Sequence, residues 1–445
     1  MTIAAIATPP GRGAIAIVRV SGPQASAIAM RLTGVSAPLR PRRAYAVDLH
    51  DAGGALLDHG VALFFAAPRS YTGEDVLELH VHGSPVVARC VLEAAVEAGA
   101  VPAAPGEFTR RAYCNGKMEL SAAAAVADII GAETGAAARA AAANLAGGLV
   151  AEIDRLRGVV RGVLEELEGA IDFPDEVPDP ERLALDATVA SAEADLRALQ
   201  RAGELGRVVR EGVSVAIVGP PNAGKSSLLN ALLHEERAIV SAMPGTTRDT
   251  IEEALVVDGV QVRLIDTAGI RVHADAVESA GIKRTIDAVS HARIALVTLD
   301  GSRLPGPAER DVLERTRGRE RIVFCNKADL GVEGARALAS CEPIVGSVYD
   351  PSTQDSIRAA IARIGWNGET IDLARPHLAT AAEMTAAAQA LAALAHARAT
   401  LAAGEPVDLC AGDLQQAVAA LGHVSGEAVA EEVIDGIFAR FCIGK

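Results

Sequence analysis

One stretch constrains the fold of this 445-residue chain more than any other. The apolar run Val213-Ser-Val-Ala-Ile-Val218 leads without a spacer into Gly219-Pro-Pro-Asn-Ala-Gly-Lys-Ser226, and that loop into Ser227-Leu-Leu-Asn-Ala-Leu-Leu233. A strand, a loop of the form G-x-x-x-x-G-K-S and a helix in this order make a phosphate-binding loop. Its binding residues are Asn222, Ala223, Gly224, Lys225, Ser226 and Ser227. The glycines let successive backbone N–H groups curl around phosphate oxygens at a helix N-terminus, where the helix dipole favours an anion. Lys225 reaches for the β- and γ-phosphates, which gives it a catalytic as well as a binding role, and the Ser226 hydroxyl is set to ligate magnesium. A merely glycine-rich turn would not require Lys and Ser to follow in that order.

Two further motifs lie downstream. Val260 to Ile265 reads as a strand paired back through the two-residue turn Asp258-Gly259, and it runs into Asp266-Thr267-Ala268-Gly269. Asp266 stands where a magnesium-linked carboxylate is needed, and Gly269 where a backbone N–H meets a γ-phosphate. Arg321 to Cys325 reads as another strand, followed by Asn326-Lys327-Ala328-Asp329. The Asp329 carboxylate can accept from the N1–H and exocyclic amine of guanine; adenine offers neither and would leave a buried acceptor unpaired. The nucleotide is therefore GTP. Between the first two motifs, Ser241-Ala-Met-Pro-Gly-Thr-Thr-Arg-Asp249 holds Thr247, the expected switch threonine, ordered by a γ-phosphate and magnesium. Ras-like proteins place a glutamine after the D-x-x-G glycine to orient water. Here that position is Ile270, so the water must be oriented from elsewhere, with Arg271, His273, Asp275 and Glu278 as candidates.

The rest of the chain divides by composition. Residues 1–118 read as mixed α/β, with strands at Ala14 to Val20, Gly60 to Ala66 and Val76 to Val81 and a helix at Pro85 to Ala98. Residues 119–208 turn Ala-, Leu-, Glu- and Arg-rich, predicting two or three long helices broken at Phe173-Pro-Asp-Glu-Val-Pro-Asp-Pro180. Residues 209–370 alternate strand and helix, and 371–445 return to helix. Either the α/β segment is inserted into one helical domain, or two helical domains flank it. A net charge of −15 lacks the basic footprint of non-specific nucleic-acid binding, so any RNA contact has to be local or made through a partner. The N-terminus has neither the charged region nor the apolar length of a secretory signal, and no apolar run is long enough for a membrane span. Scattered cysteines without C-x-x-C fit a reducing cytoplasm. His80 and His82 read as ordinary strand residues, Arg155, Arg157 and Arg161 as a solvated helix face, and Cys442, on residue type alone, as a small buried hydrophobe.

Taken together, G-x-P-N-A-G-K-S-S at 219–227, P-G-T-T-R-D at 244–249, D-T-A-G-I-R at 266–271 and the terminal Cys442-Ile-Gly-Lys445 resemble the MnmE (TrmE) family of tRNA-modification GTPases. Ala7-Thr-Pro-Pro-Gly-Arg-Gly13, Tyr71-Thr-Gly-Glu-Asp-Val-Leu-Glu78, Pro105-Gly-Glu-Phe108 and Ile171-Asp-Phe-Pro-Asp-Glu176 carry the same resemblance. It implies a multidomain α/β plus all-α fold: an N-terminal folate-binding and dimerisation domain (1–118), a helical domain in two halves (119–208 and 371–445) and an inserted Ras-like P-loop GTPase domain (209–370). It implies a cytoplasmic homodimer that forms a heterotetramer with the flavoprotein MnmG, which carries FAD. That complex would place a carboxymethylaminomethyl-type group on carbon 5 of the wobble uridine of tRNA, with 5,10-methylene-tetrahydrofolate as one-carbon source. Potassium would be held by Asn222, Ser241, Met243 and Thr246, and magnesium by Ser226 and Thr247. Glu278 would orient water, Arg19, Glu78, Lys117 and Lys445 would contact folate, and Cys442 would take part in the modification. The family's usual S-A-x guanine loop is represented by Ser347-Val-Tyr349. A ribosome-assembly-type GTPase switch is the alternative, although it would need a basic RNA-binding domain that this acidic chain does not show.

Overall fold

The computed structural model describes the chain except residues 174, 177, 179, 234–251, 267–291, 370–375, 427–430, 440, 442 and 445, with backbone alone at 252, 266 and 431–433. It divides into two compact units, one of Met1–Ala127, Asn144–Arg197 and Ala379–Lys445, the other of Asp128–Ala143 and Ala198–Leu378.

In the first unit, strands β1 (Ile3–Ile6), β2 (Ile15–Ser21), β3 (Ala44–His50), β4 (Leu56–Phe65), β5 (Val76–His82) and β6 (Val101–Pro102) form one sheet in the order β3-β4-β5-β2-β1-β6. Its pairs are antiparallel except β1 with β6. The strand period of two sorts the side chains. Val18 and Val20 on β2 and Leu77, Leu79 and Val81 on β5 join the core formed with α1 (Ala25–Thr33) and α2 (Pro85–Glu97). That alternation leaves Arg19, Glu78 and His80 on the other face, where Phe108 of α3 (Glu107–Cys114) packs with Ile3 and Ala5.

Helices α4 (Leu120–Ile130), α5 (Gly135–Leu145), α6 (Leu149–Asp172) and α7 (Arg182–Glu211) follow. The composition of this region predicts two or three long helices; the chain makes two short and two long ones. Gly147 and Gly148, at φ 80° and 105°, supply the left-handed backbone that separates α5 from α6. Along α6, Ile153, Leu156, Val160, Val163 and Leu167 form the buried stripe expected of an amphipathic helix. The proline-rich stretch after Asp172 separates α6 from α7, as proline requires.

The second unit holds β7 (Val213–Val218), α8 (Lys225–Leu233), β8 (Glu252–Val257), β9 (Val260–Asp266), β10 (Ile294–Asp300), α9 (Pro307–Arg315), β11 (Arg321–Asn326), α10 (Glu333–Ala337), β12 (Ile344–Val345) and α11 (Pro351–Trp366). The sheet order is β12-β11-β10-β7-β9-β8, parallel except for the β8–β9 hairpin. That hairpin turns through Asp258 and Gly259, both at positive φ, as a two-residue primed turn demands. This is the doubly wound, Ras-like P-loop arrangement, whose loops at the carboxyl ends of the strands make the ligand crevice.

Back in the first unit, α12 (Ala381–Ala403) starts at a capping box in which Thr380 and Glu383 each bond the other's backbone N–H. It packs with α13 (Val407–Val424), and α13 with α6. The last helix, α14 (Glu431–Phe438), brings Phe438 within 6.4 Å of Tyr113, centroid to centroid. Among the described residues no helix is long and apolar enough to cross a membrane.

Candidate functional site

The phosphate loop connects β7 to α8, and its backbone is already wound as a cradle. Gly219, Asn222 and Gly224 have φ of 156°, 62° and 100°. A Cβ on Gly219 would lie 2.1 Å from the Thr298 carbonyl oxygen, and one on Gly224 2.2 Å from Asn326 Nδ2, so close approach as well as conformation demands glycine. The Lys225 ammonium donates to the carbonyl oxygens of Gly219 and Pro220 at 2.9 and 2.8 Å, folded over the loop it serves. Ser226 is exposed and Ser227 half-buried in the first turn of α8, while Ala223 is buried.

Two other strand ends, that of β9 beside β7 and that of β11 beyond β10, carry the other motifs at the same end of the sheet. The register of β7 with β9 sets Ile217 beside Asp266, so the D-x-x-G motif begins next to the loop. At the end of β11, buried Asn326 ties three segments together: its Nδ2 donates to the Ala223 carbonyl at 2.9 Å, and its Oδ1 accepts from the N–H groups of Lys327 and Val348 at 2.8 and 3.1 Å. The phosphate loop, the N-K-x-D motif and the Ser347-Val-Tyr349 loop are thereby held by one amide. Asp329 stands exposed three residues further on. Lys327, at φ 63°, bonds Asp300 Oδ2 at 2.8 Å from the end of β10. Burial alone would raise the Asp300 carboxyl, but hydrogen bonds from Lys327 and Ser302 outweigh it and hold the group below its ordinary 3.8. Sequence reasoning missed Asp300; an acid at a strand end followed by Gly301 and Ser302 was the available signal.

Thr247, Ser241, Met243, Thr246, Thr267, Ala268, Gly269, Glu278, Cys442 and Lys445 lie outside the described residues, as do Ile270, Arg271, His273 and Asp275.

A second polar cluster sits on the face of the first unit's sheet that α3 packs against. Arg19 and Glu78 are cross-strand partners joined at 2.8 Å, and the Arg19 guanidinium lies 5.5 Å from the Tyr71 ring centroid and 5.7 Å from that of Phe108. Burial pushes the Tyr71 phenol above 10.0, against the pull of its Thr109 hydrogen bond and of Arg19. Alongside, Arg111 bonds Glu74 at 3.0 Å and Glu107 at 2.8 Å, and Glu74 accepts from Ser21. Residues quoted from separate motifs, Tyr71, Glu74, Glu78, Glu107 and Phe108, thus converge on two arginines. Lys117 is exposed, and its stem lies beside Gly73. A paired guanidinium and carboxylate between aromatic rings suits a planar, hydrogen-bonding ring system. His80 bonds Glu78 and His82 bonds Asp58, and among the described residues no group of three or more His, Cys, Asp or Glu could hold a metal. Arg155 of α6 is paired with Glu152 on the same helix and with Asp195 of α7.

The chain matches the family model described as GTP-binding protein TrmE N-terminus over residues 2–117, and that of the MnmE helical domain over 120–442. It is 42% identical over 458 residues to the tRNA modification GTPase MnmE of Symbiobacterium thermophilum, covering 100% of this chain and 99% of that one. With those of Geobacter metallireducens and Chloroflexus aurantiacus it shares 41% over 453 and 456 residues, at the same coverage.

Proposed function

The chain belongs to the MnmE family of tRNA modification GTPases, and from that premise we propose that it hydrolyses GTP in a potassium-dependent way to drive modification of the wobble uridine of tRNA. In this reading it acts as a cytoplasmic homodimer with the flavoprotein MnmG, and the product is a carboxymethylaminomethyl-type group on carbon 5. The division of labour follows the segments: 1–118 for folate and dimerisation, 119–208 with 371–445 as the helical domain, 209–370 for GTP. The observation that carries the nucleotide part is Asn326, whose amide joins the phosphate loop to the guanine-reading loops. The chemistry asked of each residue is local. Lys225 gives up its two loop carbonyls for phosphate oxygens, Asp329 accepts from guanine, and the Asn326 clamp fixes the distance between the two. Ser226 and Thr247 would hold magnesium, and Asn222, Ser241, Met243 and Thr246 potassium, and when bound the two ions would supply positive charge against the phosphates. Glu278 orients the water, and Glu278→Ala is expected to keep GTP affinity while hydrolysis falls by roughly 10². Arg19 and Glu78, with Lys117 and Lys445, offer the polar partners for 5,10-methylene-tetrahydrofolate, and Cys442 lies in the terminal motif tied to the modification. A ribosome-assembly-type switch loses its ground, because the family match extends through the N-terminal and helical segments. The test is mass spectrometry of wobble-uridine nucleosides in cells lacking the chain: the modified nucleoside should disappear and return with the gene, and its persistence would overturn the reading.

A further inference from the structure

A cavity of about 280 Å³ opens at the end of the second unit's sheet away from the phosphate loop. Arg207 and Glu211 of α7, Gly212, Ser214 of β7, Arg263 of β9 and Arg293 before β10 line it. Strand register makes the grouping: Ser214 lies beside Arg263, and the Arg293 N–H donates to the Ser214 carbonyl and hydroxyl oxygens at 3.0 and 3.1 Å. Five residues of extended strand, roughly 16 Å, separate Ser214 from Gly219, so this is not an extension of the nucleotide site.

The three arginines are exposed and only lightly engaged. Arg207 stands 4.0 Å from Glu211, Arg263 spends one N–H on the Glu211 carbonyl oxygen at 3.1 Å, and the Arg293 guanidinium has no ion-pair partner among the described residues. Glu211 itself is shared with Arg210 at 3.6 Å. Three arginines against one glutamate leave this cavity with a formal +2, on a chain whose total is −15. An acidic protein that handles RNA has to meet the backbone at such local exceptions, because phosphate contacts are what position it.

We propose that this cavity is a phosphate subsite for the tRNA backbone. The proposal rests on the tRNA reading above and adds the place and the residues. Arg263 of β9 and Arg293 just before β10 present guanidinium forks to one oxyanion from the two sides of β7, Arg207 closes it from the helix, and the Ser214 hydroxyl supplies a neutral donor. Glu211 limits the affinity, so that the subsite aligns an RNA held by other contacts and does not grip it alone.

The experiment uses the full chain, an unmodified tRNA transcript and fluorescence anisotropy over a potassium chloride series. Arg263→Gln and Arg293→Gln are each expected to weaken binding about tenfold at low salt and to lower the slope of log K against log salt by about one, the double variant by about two. Glu211→Gln is expected to tighten binding, a gain that a damaged fold does not produce. Affinity for a fluorescent GDP analogue should be the same in all four proteins. A double variant with wild-type affinity and slope overturns the subsite while leaving the tRNA reading intact; a wild-type chain that binds no tRNA overturns both. Displacement of the tRNA by poly-glutamate as effectively as by RNA homopolymer, or by micromolar inorganic phosphate, would show an acidic-protein or small-anion site and overturn the RNA assignment.

Discussion

Two polar side chains three positions apart have different duties at the guanine end of the site. Asn326 is 3% exposed and makes three internal hydrogen bonds, whereas Asp329 is exposed and holds nothing else in place. Asp329→Asn is therefore expected to weaken GTP binding by about 2–4 kcal/mol, roughly 30- to 1000-fold, and to leave the melting temperature where it was. Asn326→Ala removes three bonds worth about 1 kcal/mol each, so calorimetry should find both affinity and melting temperature reduced. An equal drop in melting temperature for the two variants would make Asp329 a structural residue and sink its assignment to the base. Asp300 adds a pH dependence. Its folded carboxyl is held below 3.8; a depressed value stabilises the folded loop above the unfolded pKa, near roughly 3.9, and that contribution is lost as pH falls through the folded one. Stability against denaturant should stay level between about pH 7 and 5 and fall below about pH 4, with a shallower acid-side fall in Asp300→Asn. Identical profiles for the two proteins would remove the Asp300–Lys327 bridge from the account.

At the scale of elements, the turn from β7 into α8 has a backbone that leaves little freedom. Gly224 combines a φ of 100° with an approach of 2.2 Å between a built Cβ and Asn326 Nδ2, so Gly224→Ala must bend the loop or break the clamp. The expected result is GDP affinity lower by roughly 100-fold, on the scale of 2–3 kcal/mol for a strained backbone position plus a lost bond, with folate-side properties unchanged. Wild-type affinity in that variant would show that the cradle seen here is not the one that binds. The same turn explains why the nucleotide motifs were legible in sequence: each is a contiguous string at a strand end, and the chemistry dictates its spelling. The hairpin at Asp258-Gly259 and the breaks around Phe173 to Pro180 were legible for the same local reason. What escaped was decided at long range. Strand β1 has four residues and exists through its pairing with β2 and β6, which no local pattern announces. Helices α4 and α5 hide in an alanine-rich run whose composition outweighs two glycines. The Arg19–Glu78 pair joins positions 59 apart, so each residue looks like an ordinary polar strand residue until the sheet forms.

For the whole molecule the question is how a chain at −15 stabilises the extra negative charge of a GTP hydrolysis transition state. With magnesium bound as proposed, that ion and Lys225 would supply two cations, and Ras-type enzymes add an arginine from a partner worth roughly 10³ to 10⁵ in rate. In the reading proposed above a monovalent cation takes that arginine's place, held by the Asn222 amide oxygen and by Ser241, Met243 and Thr246. A cage of hard oxygens sized for potassium leaves sodium, the smaller ion, out of reach of some ligands. Closing the segment from Ser241 to Thr247 would complete the cage and, at the same time, the surface through which two GTPase domains dimerise. Hydrolysis is therefore expected to rise severalfold or more in potassium relative to sodium, and dimers to form around a transition-state mimic only in potassium. The variant that isolates the amide is Asn222→Gly. Asn222 sits at φ 62°, where alanine would add a left-handed strain of about 1–2 kcal/mol of its own, while glycine removes the side chain and keeps the turn. In Asn222→Gly the difference between the two salts should vanish with GDP affinity nearly intact. Rates are compared at matched ionic strength, because a protein this acidic responds to salt in general. Equal rates in potassium and sodium for the unmutated chain would refute the cation's role, and a potassium preference that survives Asn222→Gly would move the cage away from Asn222.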